Sequence, residues 1–513
     1  MVRFATRLVV AGFVAVPMTA LTAGIAGAAQ MTVTNCSGSA AVSGSLPYEV
    51  QRAKSGRTLA FSVSCPATSP IELSTAMDIT TDLTITGPGA GSMVVSGGGT
   101  TAAIDVGPAG ALSVSGVTIE DGSADLGGAI QNDGTLTVTD STISASSAEQ
   151  GGGVYNAGTL TLTGSTLSGN SAGQGGGVDN AGTVTLTDST VSGNSAPSDG
   201  RSDNTDLAHG GKLSHTSSGF GGGLLNFGTA DVTGTTLLGD SATYAGGGIL
   251  NEGSLTVSAS TLSENETTSR AKGQGGGIFD GAKLLITGST VTDNRAAEGG
   301  GLIDGGGSAT VAATIIADST SGDCSGSITD AGYNLADDET CGFTAAKNSR
   351  SGVDPELGPL QNNGGPTETQ APGPDSPALE QIPFLTFGGG AVLCPQIDQR
   401  GVLRPQAMDC DIGAVEPVLP LAITSASSAM ATAGSTFSFA VTTTGTPFPK
   451  LLRHGPFPKG LTFADKFRSA LISGTPATRS SARVYHFKIS ATFGQGSSKQ
   501  VVTQAFSLTV DPG

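Results

Sequence analysis

Five side chains in this sequence are grouped densely enough to do chemistry. Asp199, Asp203, Asp206, His209 and His215 all fall within Pro197–Phe220, a stretch that adds 22 residues between two units of a repeat. Carboxylates and imidazoles together could hold a divalent ion or share acid–base work on a glycosidic bond. The spacing matches no EF-hand, because no Glu follows at the distance a bidentate ligand needs. Glycosidic cleavage needs two carboxylates flanking the bond at a fixed separation, and the tripeptide Asn204-Thr205-Asp206 with His209 nearby does not supply that. Two readings of the insertion stand: a solvated loop, and a binding loop. The second has a physical basis, since loops inserted on one face of a solenoid often form its binding face. The other acidic pair, Asp337-Asp338, lies past the repeats, between two cysteines.

Basic partners for such acids are scarce. Between Gly127 and Asp318 they are Arg201, Arg270, Arg295, Lys212, Lys272 and Lys283. None stands at a strand position facing a trio of Asp, which is what a calcium-assisted lyase would need. The formal charge is −18, so polyuronate is repelled unless a local basic groove opposes it. Nucleic acid is excluded as a partner for the same reason. Trp is absent, and Tyr155 and Tyr244 are the only Tyr in the repeats, so a long sugar groove with aromatic platforms is not expected. No cofactor and no metal is expected.

The elements that would position these residues come from a repeat. The unit GGGVYNAGTLTLTGSTLSGNSAGQ starts at Gly151, and its relatives start at Gly127, Gly175, Gly221, Gly246, Gly275 and Gly299. Uninterrupted, the period is 24 residues. Apolar residues alternate with Thr, Ser or Gly in three short runs per unit, such as Val154/Asn156, Leu160/Leu162 and Leu167. Alternation of period two means strands with one face buried, and Gly or Asn between the runs means turns. A unit this small cannot bury its apolar face alone, so units must stack. Three strands and three turns per unit make one coil of a parallel β-helix. Fainter coils at 77–99 and 103–126 extend it to about ten coils over 77–320, about 50 Å at one strand spacing per coil.

Two polar positions recur at fixed phase. One holds Asn132, Asn156, Asn180, Asn226, Asn251, Asp280 and Asp304. The other holds Asn170, Asn194, Asp240, Asn265, Asn294 and Asp318. Stacked coils would set amide above amide, giving hydrogen-bonded structural ladders. The triple glycines serve tight corners and close backbone approach. They are no phosphate loop, since no Lys-Ser/Thr follows and no helix begins there.

At the amino end, Arg3 and Arg7, the apolar run 8–16 and Ala26-Gly27-Ala28 form a leader with a cleavage site, assigned to 1–28. Its removal takes the charge from −18 to −20. No later run is long enough to span a bilayer. The expected location is extracellular or cell-surface. Cys36, Cys65, Cys324, Cys341, Cys394 and Cys410 are even in number and contain no Cys-x-x-Cys, so disulfides rather than zinc are expected. Proximity pairs them as 36/65, 324/341 and 394/410, stapling an amino-terminal cap (29–76) and a carboxyl-terminal cap (321–417).

The Gly-Gly-[Ala/Gly]-[Ile/Leu/Val]-x-Asn units resemble those of secreted right-handed β-helix proteins of the pectin-lyase-like superfamily and the repeats of chlamydial polymorphic outer-membrane proteins. The run from Asp354-Pro355 through Leu357-Gly358-Pro359-Leu360-Gln361-Asn362-Asn363-Gly364-Gly365-Pro366-Thr367, with Ser376-Pro377-Ala378, Asp398-Gln399-Arg400-Gly401, Arg404-Pro405 and Cys410-Asp411-Ile412-Gly413-Ala414-x-Glu416, is similar to a choice-of-anchor Q domain. That resemblance implies a surface protein, although no carboxyl-terminal sorting signal accompanies it. Gly460-Leu461-Thr462-Phe463 and Ile472-Ser473-Gly474-Thr475-Pro476 resemble bacterial Ig-like, cadherin-like sandwiches, assigned to 420–513; the acidic calcium motifs of cadherins are missing. The pectin-lyase-like fold also hosts polygalacturonases, but their Asp-Asp and Arg-Ile-Lys motifs are absent from the coils. The resulting expectation is an all-β, non-catalytic adhesive or structural protein whose partner is a cell-surface glycan or protein. The alternative is a polysaccharide-binding or polysaccharide-degrading β-helix.

Overall fold

The structure is a computed structural model that describes residues 30–198, 218–383, 387–388, 391–406, 409–417, 420–445, 449–466, 469–478, 480–493 and 499–513. The coil that starts at Gly127 shows how the sequence winds. Ile130–Asn132 enters sheet C, Thr135–Thr139 sheet A, Thr142–Ser144 sheet B and Ser147–Gln150 sheet D. The next coil repeats this one residue for residue, pairing Ile130 with Val154, Leu136 with Leu160 and Ile143 with Leu167, all parallel. Stacking about eleven such coils gives sheets of 12, 11, 10 and 6 strands among the described residues, sheets A, B, C and D in that order.

The mid-rod coil therefore has four strands, not three. The fourth was hidden because its residues, such as Ser147 and Glu149, bury no apolar face. Only an alternating face distinguishes a strand from a loop in sequence.

Inside the coils, Ile130, Val154 and Val178 of sheet C meet Leu136, Val138, Leu160 and Leu162 of sheet A and Ile143 and Leu167 of sheet B, all fully buried. Each buried Leu, Ile or Val contributes about 1.5–3 kcal/mol by leaving water. The corners need special backbone. Asp140, Gly164 and Asp188 take a left-handed conformation between sheets A and B, and Ala145, Gly169 and Gly193 do so between B and D. Between D and C the first glycine of each triple is left-handed, as at Gly175 (φ 60°). The second is constrained by space: a Cβ on Gly176 would lie 2.5 Å from the carbonyl oxygens of Gly222 and Ser195.

The ends differ from the expected plan. Strands Met31–Val33 and Arg57–Phe61 already belong to sheet A, so the solenoid begins before residue 77. The only α-helix among the described residues, Leu46–Arg52, closes that end; it is capped by the Ser45 hydroxyl and buries Leu46, Pro47 and Val50. At the other end Cys324–Ser325, Thr329–Gly332 and Leu335–Ala336 add one more coil. After that the chain turns back. The described residues of 353–417 lie as a strap along the outside of sheet B, bonded to Gly234, Thr236, Thr261 and Thr290, so only part of the expected cap sits at the end. Disulfides join Cys36–Cys65, Cys324–Cys341 and Cys394–Cys410, with Cα atoms 5.7, 4.8 and 5.9 Å apart.

Residues 420–513 form an antiparallel sandwich of two four-stranded sheets. Its core includes Phe506, whose ring centre lies 5.1 Å from those of both Phe439, met edge-on, and Phe487. Gly460–Phe463 and Ile472–Pro476 form the hairpin in which Leu461 pairs with Gly474 and Phe463 with Ile472. Strand Ser428–Thr432 pairs in parallel with the last strand, Gln500–Asp511; it carried no clear alternation in sequence.

The corner geometry separates two kinds of glycine. Gly176→Ala should lower stability by about 3 kcal/mol, because a methyl is forced against two backbone carbonyls. Gly239→Ala, left-handed but with open space around it, should cost about 1 kcal/mol. Thermal melting of the two variants checks this; equal shifts would contradict it.

Candidate functional site

The residues singled out in the insertion, Asp199, Asp203, Asp206, His209 and His215, lie outside the described residues. Its roots are described. Ser195–Ala196 leads in, and Phe220 leads out. Phe220 is fully buried, 5.7 Å from the Tyr244 ring, in a small apolar cluster with Leu225, Leu250 and Phe279 on the outer side of sheet C. Phe220 is therefore part of the fold rather than of a dispensable loop.

One carboxylate beside these roots escaped the sequence reading. Asp179 occupies the variable position of the glycine–Asn unit, between Tyr155 and Leu225 in the stacked column. It is buried, and burial pushes its carboxyl up to about 7. Tyr155 is raised too, first by burial and then by Asp179. The available signal was the column itself, in which Leu225, Leu250 and Phe279 follow an acid.

The two Asn columns are internal ladders. Asn132, Asn156, Asn180 and Asn226 each donate through Nδ2 to the next Oδ1, at 2.6, 2.6, 2.7 and 2.7 Å, and Asn251 donates to Asp280 Oδ1 at 2.6 Å. All of these residues are fully buried. Asp304 keeps the register but turns to the backbone amides of Gly306 and Gly307. In the second column Asn170 donates to Asn194, Asn194 to Asp240 Oδ1, and Asn265 to Asn294. Asp318 is a correction. Thr292 pairs with Ala317, so Ser319 takes the place below Asn294, and Asp318 occupies the left-handed corner before it. Asn265-Glu266-Thr267 has the form of an N-glycosylation acceptor, but Asn265 is fully buried and presents no accessible amide.

A third ladder was not foreseen. At the corner between sheets A and B, the hydroxyls of Ser141, Ser165, Ser189, Thr235, Ser260, Ser289 and Thr314 each accept from the backbone amide one coil back. Ser is so common in this chain that its fixed phase did not stand out.

Asp240 shows why a carboxyl can occupy an amide ladder. Its Asn counterparts 170, 194 and 265 donate Nδ2 to the carbonyls of Ile143, Leu167 and Leu237. Asp240 Oδ1 accepts from Asn194, while buried Oδ2 has no donor. Burial pushes this carboxyl up to about 8, so near neutrality it holds a proton and can mimic the amide it replaces.

The densest charge network lies in the strap. Arg400 grips Asp398 Oδ2 through Nε and Nη2, at 2.9 and 2.7 Å. Arg404, fully enclosed, reaches the carbonyls of Asp411 and Gly413 and Glu416 Oε2 at 3.3 Å. Burial raises Asp411 to about 8, with Glu416 adding to the effect. Gln399 ties the network to the coils: it accepts from Thr261 Oγ1 at 2.6 Å and donates to Thr236 Oγ1 at 2.8 Å. The Ala414 amide donates to Thr290 Oγ1. The pair Asp337-Asp338 has a comparable use. Asp338 accepts from Thr340 and from the Asp323 amide, and Asp337 from the Asp318 amide, closing the last coil. Burial, with Asp337 beside it, holds Asp323 up at about 9. Among the described residues no three His, Cys, Asp or Glu side chains are grouped to hold a metal.

The fold is thus an all-β parallel β-solenoid followed by a small antiparallel sandwich. Residues 420–511 match the family described as Putative Ig domain. No curated protein matches the chain. Among solved structures, one described as the PL6 family alginate lyase AlyGC aligns over 79% of this chain and 62% of its own, at 12% identity and a TM-score of 0.31. That likeness is too loose to transfer any residue role.

Two outcomes follow from the interior. Asn180→Leu should leave Asn226 Oδ1 without its donor and take one of three acceptors from Asn156 Nδ2, which keeps the carbonyls of Gly158 and Thr183; at about 1–3 kcal/mol for an unpaired buried group, melting should fall accordingly. Asp179, Asp240, Asp323 and Asp411 bind protons more tightly folded than unfolded. Their contribution is complete below about pH 4 and is lost as pH rises through about 7 to 9. The melting temperature should therefore fall from pH 5 to pH 9, and less steeply in Asp240→Asn. A melting temperature that climbs over that range would contradict this.

Proposed function

We propose that this chain is an extracellular, non-catalytic solenoid protein with an adhesive or structural role, its Ig-like module and rod engaging a cell-surface glycan or protein. The observation that carries the reading is where the charged groups are used. Arg400, Arg404, Asp398 and Glu416 hold the strap to itself, and Asp337 and Asp338 close the last coil. Groups committed to internal bonds are not free to turn over a substrate. The three disulfides suit an oxidising compartment. No helix among the described residues is long and apolar enough to cross a membrane.

A second reading, a polysaccharide-binding or polysaccharide-degrading protein, rests on Asp179, a carboxyl held near 7 at the root of the insertion. A group poised there suits general acid–base work. The two readings separate in one experiment. The purified mature protein should bind a surface glycan or intact cells and release no unsaturated uronides or reducing ends from pectate or alginate, with or without calcium. Deletion of 199–217, which spares Phe220, should leave the melting temperature unchanged. Uronide release that Asp179→Asn abolishes would overturn the non-catalytic reading.

A further inference from the structure

The outer face of sheet A carries a regular order of hydroxyl residues. Strands Thr135–Thr139, Thr159–Thr163 and Thr183–Thr187 each read Thr-x-Thr-x-Thr. Their inward residues, Leu136, Val138, Leu160, Leu162, Val184 and Leu186, are fully buried, so every Thr points outward. The register sets like on like: Thr135 on Thr159 on Thr183, Thr137 on Thr161 on Thr185, and Thr139 on Thr163 on Thr187. Hydroxyl residues continue the columns on both sides, from Thr84 and Thr86 through Ser113 and Ser115 to Thr229, Thr233, Ser254, Thr256 and Ser258. Asp82, Ala111 and Asp231 are the interruptions.

The array is a lattice. Strands lie about 4.8 Å apart, and alternate residues along a parallel strand about 6.6 Å apart. A β-branched side chain is stiff at χ1, so each node presents its methyl and hydroxyl in the same attitude. The three central strands carry no charge on this face, whereas exposed faces ordinarily carry Lys, Glu or Asp. The strap covers the last coils of sheet B, where Thr236, Thr261 and Thr290 are buried, whereas the outward Thr of the three central sheet A strands are exposed or half-buried.

We propose that this face binds ice. An uncharged two-dimensional array of hydroxyls and methyls fits a partner that is itself periodic and built from hydrogen-bonding groups. In hexagonal ice the oxygen repeat along one axis lies near the spacing between coils, and the perpendicular repeat lies near the spacing along the strand. Water held between the Thr columns is ordered by the same repeats and can merge with the crystal face. The sheet is rigid before contact, so little ordering cost is added on binding. A crystalline polysaccharide would be gripped by stacked aromatic rings, and these positions hold none. Ice is a ligand beyond the adhesive reading above and does not depend on it.

The test is ice-affinity partition of the purified mature protein, alongside inhibition of ice recrystallisation. The parent protein should be enriched in slowly grown ice over an inert globular control and should arrest recrystallisation. Thr161→Asp should lose both effects to control level; the coil tolerates it, because Asp231 occupies the same column. Thr161→Lys is the second variant, as Lys283 stands in a neighbouring column of the same face. Thr166→Lys, on the outer face of sheet B, should retain both effects. All variants should match the parent in circular dichroism. Exclusion of the parent from ice would overturn the proposal. So would equal loss in Thr161→Asp and Thr166→Lys, or retention on crystalline cellulose or chitin without any effect on ice.

Discussion

In-register stacking governs this molecule. Each coil lies one strand spacing from the next, about 4.8 Å, so every side chain meets its own counterpart above and below. That constraint decides what can be repeated. Aliphatic residues can be stacked inside without limit, as can groups that both donate and accept. Like charges cannot, because at this spacing and in a low dielectric they repel strongly. Hence three of the four corners carry neutral ladders: Asn132 to Asn251, Ser141 to Thr314, and Asn170 to Asn294. Where an acid enters, as at Asp240, burial drives it toward the protonated form and the ladder is kept. The fourth corner has no room for side chains and is glycine.

The same constraint explains why charge collects in the strap. Residues 353–417 are free of the repeat, so Arg404, Glu416, Asp398 and Arg400 can surround one another once rather than in columns. A buried ionic network of this kind adds little net stability, but it penalises any other arrangement of its partners. Gln399 and Ala414 then dock the strap on Thr236, Thr261 and Thr290, threonines that the coil pattern leaves facing outward. The docked strap thus gives one end of the rod a different lateral surface from its middle.

Legibility followed periodicity. The 24-residue unit, the inward Leu and Val, the Asn columns and the local disulfide pairs could be read because each recurs at a fixed phase or lies close in the chain. The fourth strand could not, because Ser147 and Glu149 bury nothing apolar. The hydroxyl ladder was hidden among many other Ser and Thr. Asp318 was misassigned by one position because the last regular coil ends in Ala-Asp-Ser, where an acid precedes the true column residue. The strap depends on contacts more than a hundred residues apart, such as Thr261 with Gln399, which no local pattern reveals. Asp179 looked like one variable residue among many; only the assembled column shows it buried between Tyr155 and Leu225.

The central claim is that the coils form one continuous stack locked from inside by these ladders. Native-state hydrogen exchange, read residue by residue, tests it most directly. The account predicts that backbone amides of sheets A, B and C from Asn132 to Asn294 exchange together and slowest, with the amides of Ser141, Ser165, Asn170 and Asn194 protected as strongly as those of the strand centres. Fast exchange at those corner amides, with protection confined to isolated strands, would contradict it.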